Sequence, residues 1–258
     1  MPWKTTLRAV AALIAILGAG PAWAGEARLY LMPWAFTGTL EGEARVSGGD
    51  GGTDFDLEDT LGLDTDEVVY GIDGFFKFLG SRIEFSIGGA TYEGETALNA
   101  DLIFNGVTFG AGETLATEIE MQRSRLLYGF DFNFKVVNVG FILGGHLVDI
   151  DATLRSRTTG VTEQEDLRLP IPAVGATLGI HPISWIAVHA ELSGLSVTIS
   201  GIETRLLDGF AGVDILLAGK VGLSAGYRYF TLEATDDDED DHLDIEQIGP
   251  YIGLAVHL

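Results

Sequence analysis

Two stretches of this chain concentrate carboxylates in a way that invites a hard cation. Residues 46–66 carry Asp50, Asp54, Asp56, Glu58, Asp59, Asp64 and Asp66 without a basic residue, and residues 233–246 carry nine more acids, including the run Asp236, Asp237, Asp238, Glu239, Asp240 and Asp241. Together they hold sixteen of the chain's 38 acids. Carboxylates packed this closely repel one another, and Ca²⁺ or Mg²⁺ relieves that repulsion with oxygen ligands in flexible geometry. Asp236–Asp241 with Asp50, Asp54 and Asp56 are therefore the candidate metal ligands, expected to bind weakly. The spacing matches no dedicated calcium loop. Gly48-Gly49-Asp50-Gly51-Gly52 approaches a glycine-rich calcium repeat, with the aspartate displaced by one place and no second copy.

A second group could do proton chemistry. His189, Glu191 and Ser193 lie two residues apart and share one strand parity, so a base, an acid and a nucleophile could face the same way. Two residues of extended chain separate side chains by roughly 7 Å, too far for direct hydrogen bonds without help from another strand. Polar packing is the simpler role for them, and the expectation is a protein that is not an enzyme. With no cysteine in the chain, thiolate metal sites and disulfides are excluded.

The elements that position these groups are strands. From 68 to 78 one parity carries Val68, Tyr70, Ile72, Phe76 and Phe78, and the other carries Asp73 and Lys77. After Leu79-Gly80, Ile83, Phe85 and Ile87 oppose Arg82, Glu84 and Ser86, which makes a hairpin. Leu126, Tyr128, Phe130, Phe132 and Phe134 form an aromatic row opposite Arg125, Asp131 and Asn133. Similar alternation recurs to the C-terminus, less cleanly over 139–154. Ten such segments are separated by four short turns, near 79–80, 135–138, 181–184 and 218–220. Longer connectors lie near 46–66, 93–114, 155–166, 196–203 and 234–245. One apolar and one polar face per strand, with short and long connectors in strict alternation, is the pattern of an all-β, transmembrane, antiparallel up-and-down barrel. Ten strands are expected, and eight or twelve remain open because the 93–114 connector could itself be a hairpin above the membrane.

The start of the chain agrees with export. Lys4 and Arg8 precede the apolar run Ala9–Gly20, too short to span a bilayer as a helix, and Ala22-Trp23-Ala24 fits a cleavage site. Residues 1–24 are therefore expected to be a signal peptide and 25–258 the barrel. Without Lys4 and Arg8 the chain has 13 basic against 38 acidic residues, a net charge of −25. Such acidity argues against nucleic acid as a partner.

On the terminal run IGPYIGLAVHL, the GYRYF strand and the Phe104-Asn105-Gly106 turn with Phe109, the chain resembles the bacterial outer-membrane β-barrel proteins. The resemblance implies residence in the cell outer membrane, contact with its lipid, and recognition of the C-terminal strand by the assembly machinery, although this strand ends on Leu258 where the class usually ends on an aromatic. It names no activity. Lipid A deacylase barrels have a His and a Ser two apart, whereas His189 and Ser193 are four apart. The ten-stranded outer-membrane proteases use acidic and His residues at the rim, which His146, Asp149 and Asp151 would mimic were His146 not of opposite parity.

Asp73, Arg82, Glu84, Arg125, Asp131, His189, Glu191, Asp214 and Arg228 are expected to face a narrow lumen and close it with hydrogen bonds rather than leave a porin-like channel. Trp34, Trp185, Tyr227, Tyr229 and Tyr251 are expected in an interfacial belt. The leading expectation is a surface barrel whose acidic loops bind divalent cations or a partner. A barrel enzyme acting on envelope lipid or peptide, and a narrow cation-preferring channel, are the alternatives.

Overall fold

The computed structural model describes residues 28–47, 51–78, 80–199, 201–217, 220–236 and 240–258. The expected signal peptide lies outside the described residues. Strand β1 (Arg28–Thr37) continues as β2 (Thr39–Arg45) after a break at Gly38, where a Cβ would lie 2.6 Å from the Ile248 carbonyl oxygen. A short β3 (Phe55–Asp56) follows, then β4 (Val68–Phe78) and β5 (Ser81–Ala97). A small hairpin, β6 (Leu102–Phe104) and β7 (Val107–Phe109), stands between β5 and β8 (Thr114–Phe134). The wall is completed by β9 (Val137–Ser156), β10 (Thr162–Ile183), β11 (Ile186–Ile199), β12 (Ile202–Leu216), β13 (Val221–Asp236) and β14 (Asp241–His257). Neighbours pair antiparallel, and β14 pairs with both β1 and β2, which closes the sheet into a barrel of ten strands.

These strands are far longer than a bilayer requires. A tilted span needs about 9–11 residues, whereas β8 has 21 and β10 has 22. Most of the connectors expected as long loops are therefore wall. Segments 155–166, 196–203 and 234–245 belong largely to paired strands, with Thr162 opposite Arg155, Ile199 opposite Ile202 and Asp236 opposite Asp241. The barrel stands well clear of the membrane on that side.

Along each long strand the chemistry of the two faces exchanges. On β8 the outward residues change from Glu118, Glu120 and Gln122 to Leu126, Tyr128, Phe130 and Phe132, while the inward ones change from Leu115, Ile119 and Met121 to Arg123, Arg125 and Asp131. β14 does the same: outward Asp244 and Glu246 give way to Ile248, Ile252 and Leu254, against inward Ile245, Gln247 and Tyr251. Parity never slips; only the solvent outside changes. In the bilayer the outside must be apolar and the inside may be polar, and above it the wall reverts to the ordinary rule of a water-soluble sheet.

The extramembrane half therefore has a true apolar core inside the barrel. Leu115, Leu154 and Leu232 from the wall pack with Leu57, Leu61 and Leu63 from the segment after β3 and with Leu102, Phe104 and Phe109 from the β6–β7 hairpin. That hairpin turns on Asn105 and Gly106, both at positive φ (48° and 72°), the geometry an Asn-Gly hairpin turn supplies. Asn105 is held from three sides: its amide N–H donates to the Val46 carbonyl at 3.1 Å, and its Nδ2 donates to Glu163 and Glu165 at 3.0 Å each. The connector is indeed a hairpin above the membrane, and it folds into the barrel mouth as a cap.

Two of the expected belt rings belong to the interior. Trp34 and Tyr251 are buried in the lumen, 5% and 3% exposed, because their parity faces inward. Trp185 and Tyr227 are exposed at 51% and 63%, as a belt position requires.

Candidate functional site: lumen and rim

All nine residues expected in the lumen face inward. Directly below the cap, Gln247 donates from Nε2 to the Tyr92 hydroxyl. Burial, chiefly, pushes the Tyr92 hydroxyl up to about 12, so it is neutral at physiological pH. Next comes Asp73, which accepts from Trp34 Nε1 at 2.9 Å and from the Ser86 hydroxyl at 2.6 Å and forms an ion pair with Arg228. The Arg228 guanidinium lies over the Trp34 ring, 4.0 Å from its centre. Deeper in the membrane Arg125 meets Glu191 at 2.5 Å, Arg82 pairs with Glu84, and Lys77 reaches Asp131 at 2.7 Å. At the far end Asp214 takes a hydrogen bond from the Tyr30 hydroxyl at 3.2 Å and lies 3.5 Å from His189 Nδ1 and 3.8 Å from His257 Nε2. Opposite charges from different strands are thus paired across the interior of the membrane half.

The three residues considered for proton chemistry share a face but not a site. His189 bonds the Tyr251 hydroxyl at 3.0 Å, Glu191 is taken by Arg125, and Ser193 goes to a different histidine. Ser193 Oγ lies 3.2 Å from His146 Nε2, and His146 Nδ1 lies 3.7 Å from Asp208. That is the order of groups in a nucleophile–base–acid relay. Sequence spacing did not point to it, because the three residues sit on β11, β9 and β12. Gly175 of β10, paired with Ser193, keeps that position clear: a Cβ there would fall 2.9 Å from the Ser193 Cβ. Ser193 is 1% exposed, and the adjoining cavity holds about 20 Å³, space for about one water. The rim constellation of His146, Asp149 and Asp151 does not assemble, since His146 points inward and both aspartates point outward.

At the rim, pairing of β2 with β14 brings the two acidic segments together around a cation that precedes the first of them. Arg45 meets Asp54 at 3.2 Å and Asp240 at 2.9 Å, and Asp241 accepts the Ser47 amide. Asp56 is spent on a turn, its carboxylate accepting the amides of Glu58 at 2.8 Å and Asp59 at 2.7 Å. Asp50, Asp237, Asp238 and Glu239 lie outside the described residues. Among the described residues no group of three or more His, Asp or Glu has the geometry of a metal site. Beyond the loops, the outer wall is itself acidic: Glu120, Asp151 and Asp166 face each other across β8, β9 and β10. Nearby, Glu113 clasps the turn between β9 and β10. Its carboxylate accepts the Ser156 hydroxyl, the Gly110 amide and the Thr159 hydroxyl, and these bonds hold it below the usual carboxylate range, the Ser156 bond contributing most.

The chain superposes on the outer membrane protease OmpT from Escherichia coli with a TM-score of 0.57, over 93% of this chain and 99% of that one, at 8% identity. The fold is that of an outer-membrane β-barrel. A belt of outward Phe130, Phe132, Phe141, Leu143 and Val174 on a closed ten-stranded wall places the barrel in the outer membrane. Ail of Yersinia pestis aligns over 91% of this chain and 99% of its own at 11% identity, TM-score 0.39; neisserial surface protein A aligns over 88% and 96% at 12%, TM-score 0.34. No family model and no curated protein sequence matches the barrel.

Proposed function

We propose that this outer-membrane barrel is a closed surface protein, neither channel nor enzyme, which presents an acidic extracellular wall and rim to divalent cations. One observation carries this reading: an apolar cap above and ion-paired side chains below occupy the interior apart from one small cavity, so the chemistry left facing solvent is chiefly the acidic exterior. Ca²⁺ or Mg²⁺ is the matching partner, held by carboxylates of the 46–66 and 236–241 segments with the weak affinity of about 10⁻⁴–10⁻³ M usual for extracellular sites. Arg45 competes for the same oxygens, since it already neutralises Asp54 and Asp240.

Calorimetry of the refolded barrel tests the proposal. Calcium heats are expected to persist at physiological salt, to strengthen in Arg45→Gln, and to disappear when residues 236–241 become Asn and Ser. Heats that vanish with salt, or that survive the replacement, overturn it. The Ser193–His146 contact favours a hydrolase as the second reading. That reading requires Ser193 to be modified by a fluorophosphonate probe in the folded barrel, with loss of labelling in His146→Ala; the closed reading requires no labelling.

A further inference from the structure

The short-turn end of the barrel, which faces the periplasm in this class, carries the charge opposite to that of the acidic wall. Residues 25–258 contain three lysines, Lys77, Lys135 and Lys220, and all three lie at that end. Lys77 is paired with Asp131, but Lys135 and Lys220 are exposed and make no ion pair or side-chain hydrogen bond among the described residues. Among those residues the acids at this end, Asp131 and Asp214, are buried in the lumen. Lys135 holds the turn between β8 and β9 at a φ of 51°, a left-handed geometry that glycine or asparagine occupies with less strain. The turns carrying Lys135, Trp185 and Lys220 close consecutive hairpins, and backbone bonds join their neighbours. The His181 amide donates to the Val136 carbonyl at 2.7 Å, and the Leu216 amide to the Trp185 carbonyl at 2.9 Å. Each lysine therefore stands two strands, about 10 Å, from Trp185. Phe134, Val136, Trp185, Leu217 and Val221 are exposed around them, so these turns lie where the lipid-facing belt ends, at the depth of the headgroups.

We propose that this rim binds anionic phospholipid of the periplasmic leaflet, the headgroup phosphate lying beside Trp185 with Lys135 and Lys220 on either side. An ammonium on a long flexible stem is a point charge suited to a phosphate, and each stem can reach over the neighbouring strand. The apolar side chains select a lipid over a soluble anion, because Phe134, Trp185 and Leu217 cover the upper acyl chain while the lysines meet its headgroup. The net charge of −25 would by itself exclude anionic lipid. The acids responsible stand across a hydrocarbon core of about 30 Å, several times the Debye length of about 8 Å, so the local cations decide. This surface is independent of the acidic rim at the other end, and either can stand without the other.

Trp185 is the probe that tests this. Trp3 and Trp23 belong to the expected signal peptide and Trp34 is buried in the lumen, so quenching by lipid reports on Trp185. The barrel would be refolded into vesicles of equal thickness containing brominated phosphatidylglycerol or brominated phosphatidylcholine, at physiological salt. Phosphatidylglycerol should quench with a relative binding constant about two- to fivefold higher. Replacing Lys135→Asn, which suits the turn, together with Lys220→Gln should bring the ratio to one or below, with the barrel still folded on an unheated gel. Lys135→Arg with Lys220→Arg should keep the preference, and so should Arg205→Gln, which removes a cation from the opposite end. Equal quenching by the two lipids in the native sequence, or a preference retained in the neutral double variant, would overturn the site. A preference lost in Arg205→Gln would assign it to the charge of the whole chain, and one abolished by millimolar glycerophosphate would assign the lysines to soluble anions; either result also overturns it.

Discussion

The two halves of a single strand such as β8 are built on opposite rules. Near Thr114 the strand hides Leu115, Ile119 and Met121 and shows Glu118 and Glu120; near Phe134 it hides Arg125 and Asp131 and shows Phe130 and Phe132. Backbone, parity and pairing are the same throughout. What differs is the medium outside, and with it the force that holds the interior. Above the membrane, water drives apolar side chains inward and the cap is held by area removed from water. Inside the bilayer no such drive exists, so the interior is held by directional ion pairs and hydrogen bonds. The first kind of interior tolerates volume-conserving change and resents cavities, whereas the second resents an orphaned charge.

Emptying the cap should give the largest effect. Phe109 is fully buried, and Phe109→Ala is expected to cost about 3–5 kcal/mol by leaving a cavity among Leu102, Phe104 and their neighbours. Urea unfolding measures it. A loss below about 1 kcal/mol would show that the hairpin does not pack into the mouth. In the membrane half, Phe130→Arg should cost about 2–4 kcal/mol if position 130 lies near the bilayer midplane. Asp131→Asn, one residue on, keeps the shape but removes the carboxylate facing Lys77 and Arg82, leaving Lys77 its bond to Asn133 Oδ1 at 3.4 Å. Refolding titrations in lipid vesicles should separate the two: only the first should depend on bilayer thickness, and equal dependence would contradict the assigned faces.

This exchange also explains what the sequence reading caught and missed. Period-two alternation revealed the strands and every charged lumen residue named, because an apolar row opposite Asp73, Arg82 or Asp131 has one reading in a membrane. The alternation was less clean over 139–154, because that strand crosses from lipid to water and its outward row changes from Phe141 and Leu143 to Asp149 and Asp151. Where the wall is acidic outside, connectors and strands look alike, so the ends of β9 to β14 passed for loops. Trp34 was misplaced because both faces of β1 are apolar, with Leu29, Leu31 and Ala35 outward and Met32, Trp34 and Phe36 inward. The Ser193–His146–Asp208 contact depends on which strands meet across the lumen, and no spacing within one strand reveals that. Arg45 was overlooked because it lies one residue before the acidic segment it neutralises.

A smaller, pH-dependent effect should appear at the rim alone. Glu113 has its pKa depressed in the fold by the Ser156 hydroxyl and the Gly110 amide, so its contribution to stability is present above the unfolded value of about 4.3 and is lost as pH falls through the lower folded value. The turn at 157–161 should therefore exchange its amide protons faster below that point. Glu113→Gln should remove the pH dependence, and an unchanged acid response in that variant would assign the transition to another carboxylate.

The exchange of faces along β8 can be tested one residue at a time, because the chain contains no cysteine of its own. Single cysteines at 118, 119, 120, 121, 126, 130 and 131, in barrels refolded into vesicles, would be offered a water-soluble maleimide and, separately, a lipid-soluble one. Positions 118 and 120 should react with the first reagent and 126 and 130 with the second, while 119, 121 and 131 react slowly with both. Rapid labelling of 119 and 121 from water would mean that the extramembrane barrel is hollow, and the account of a capped, closed barrel would fail.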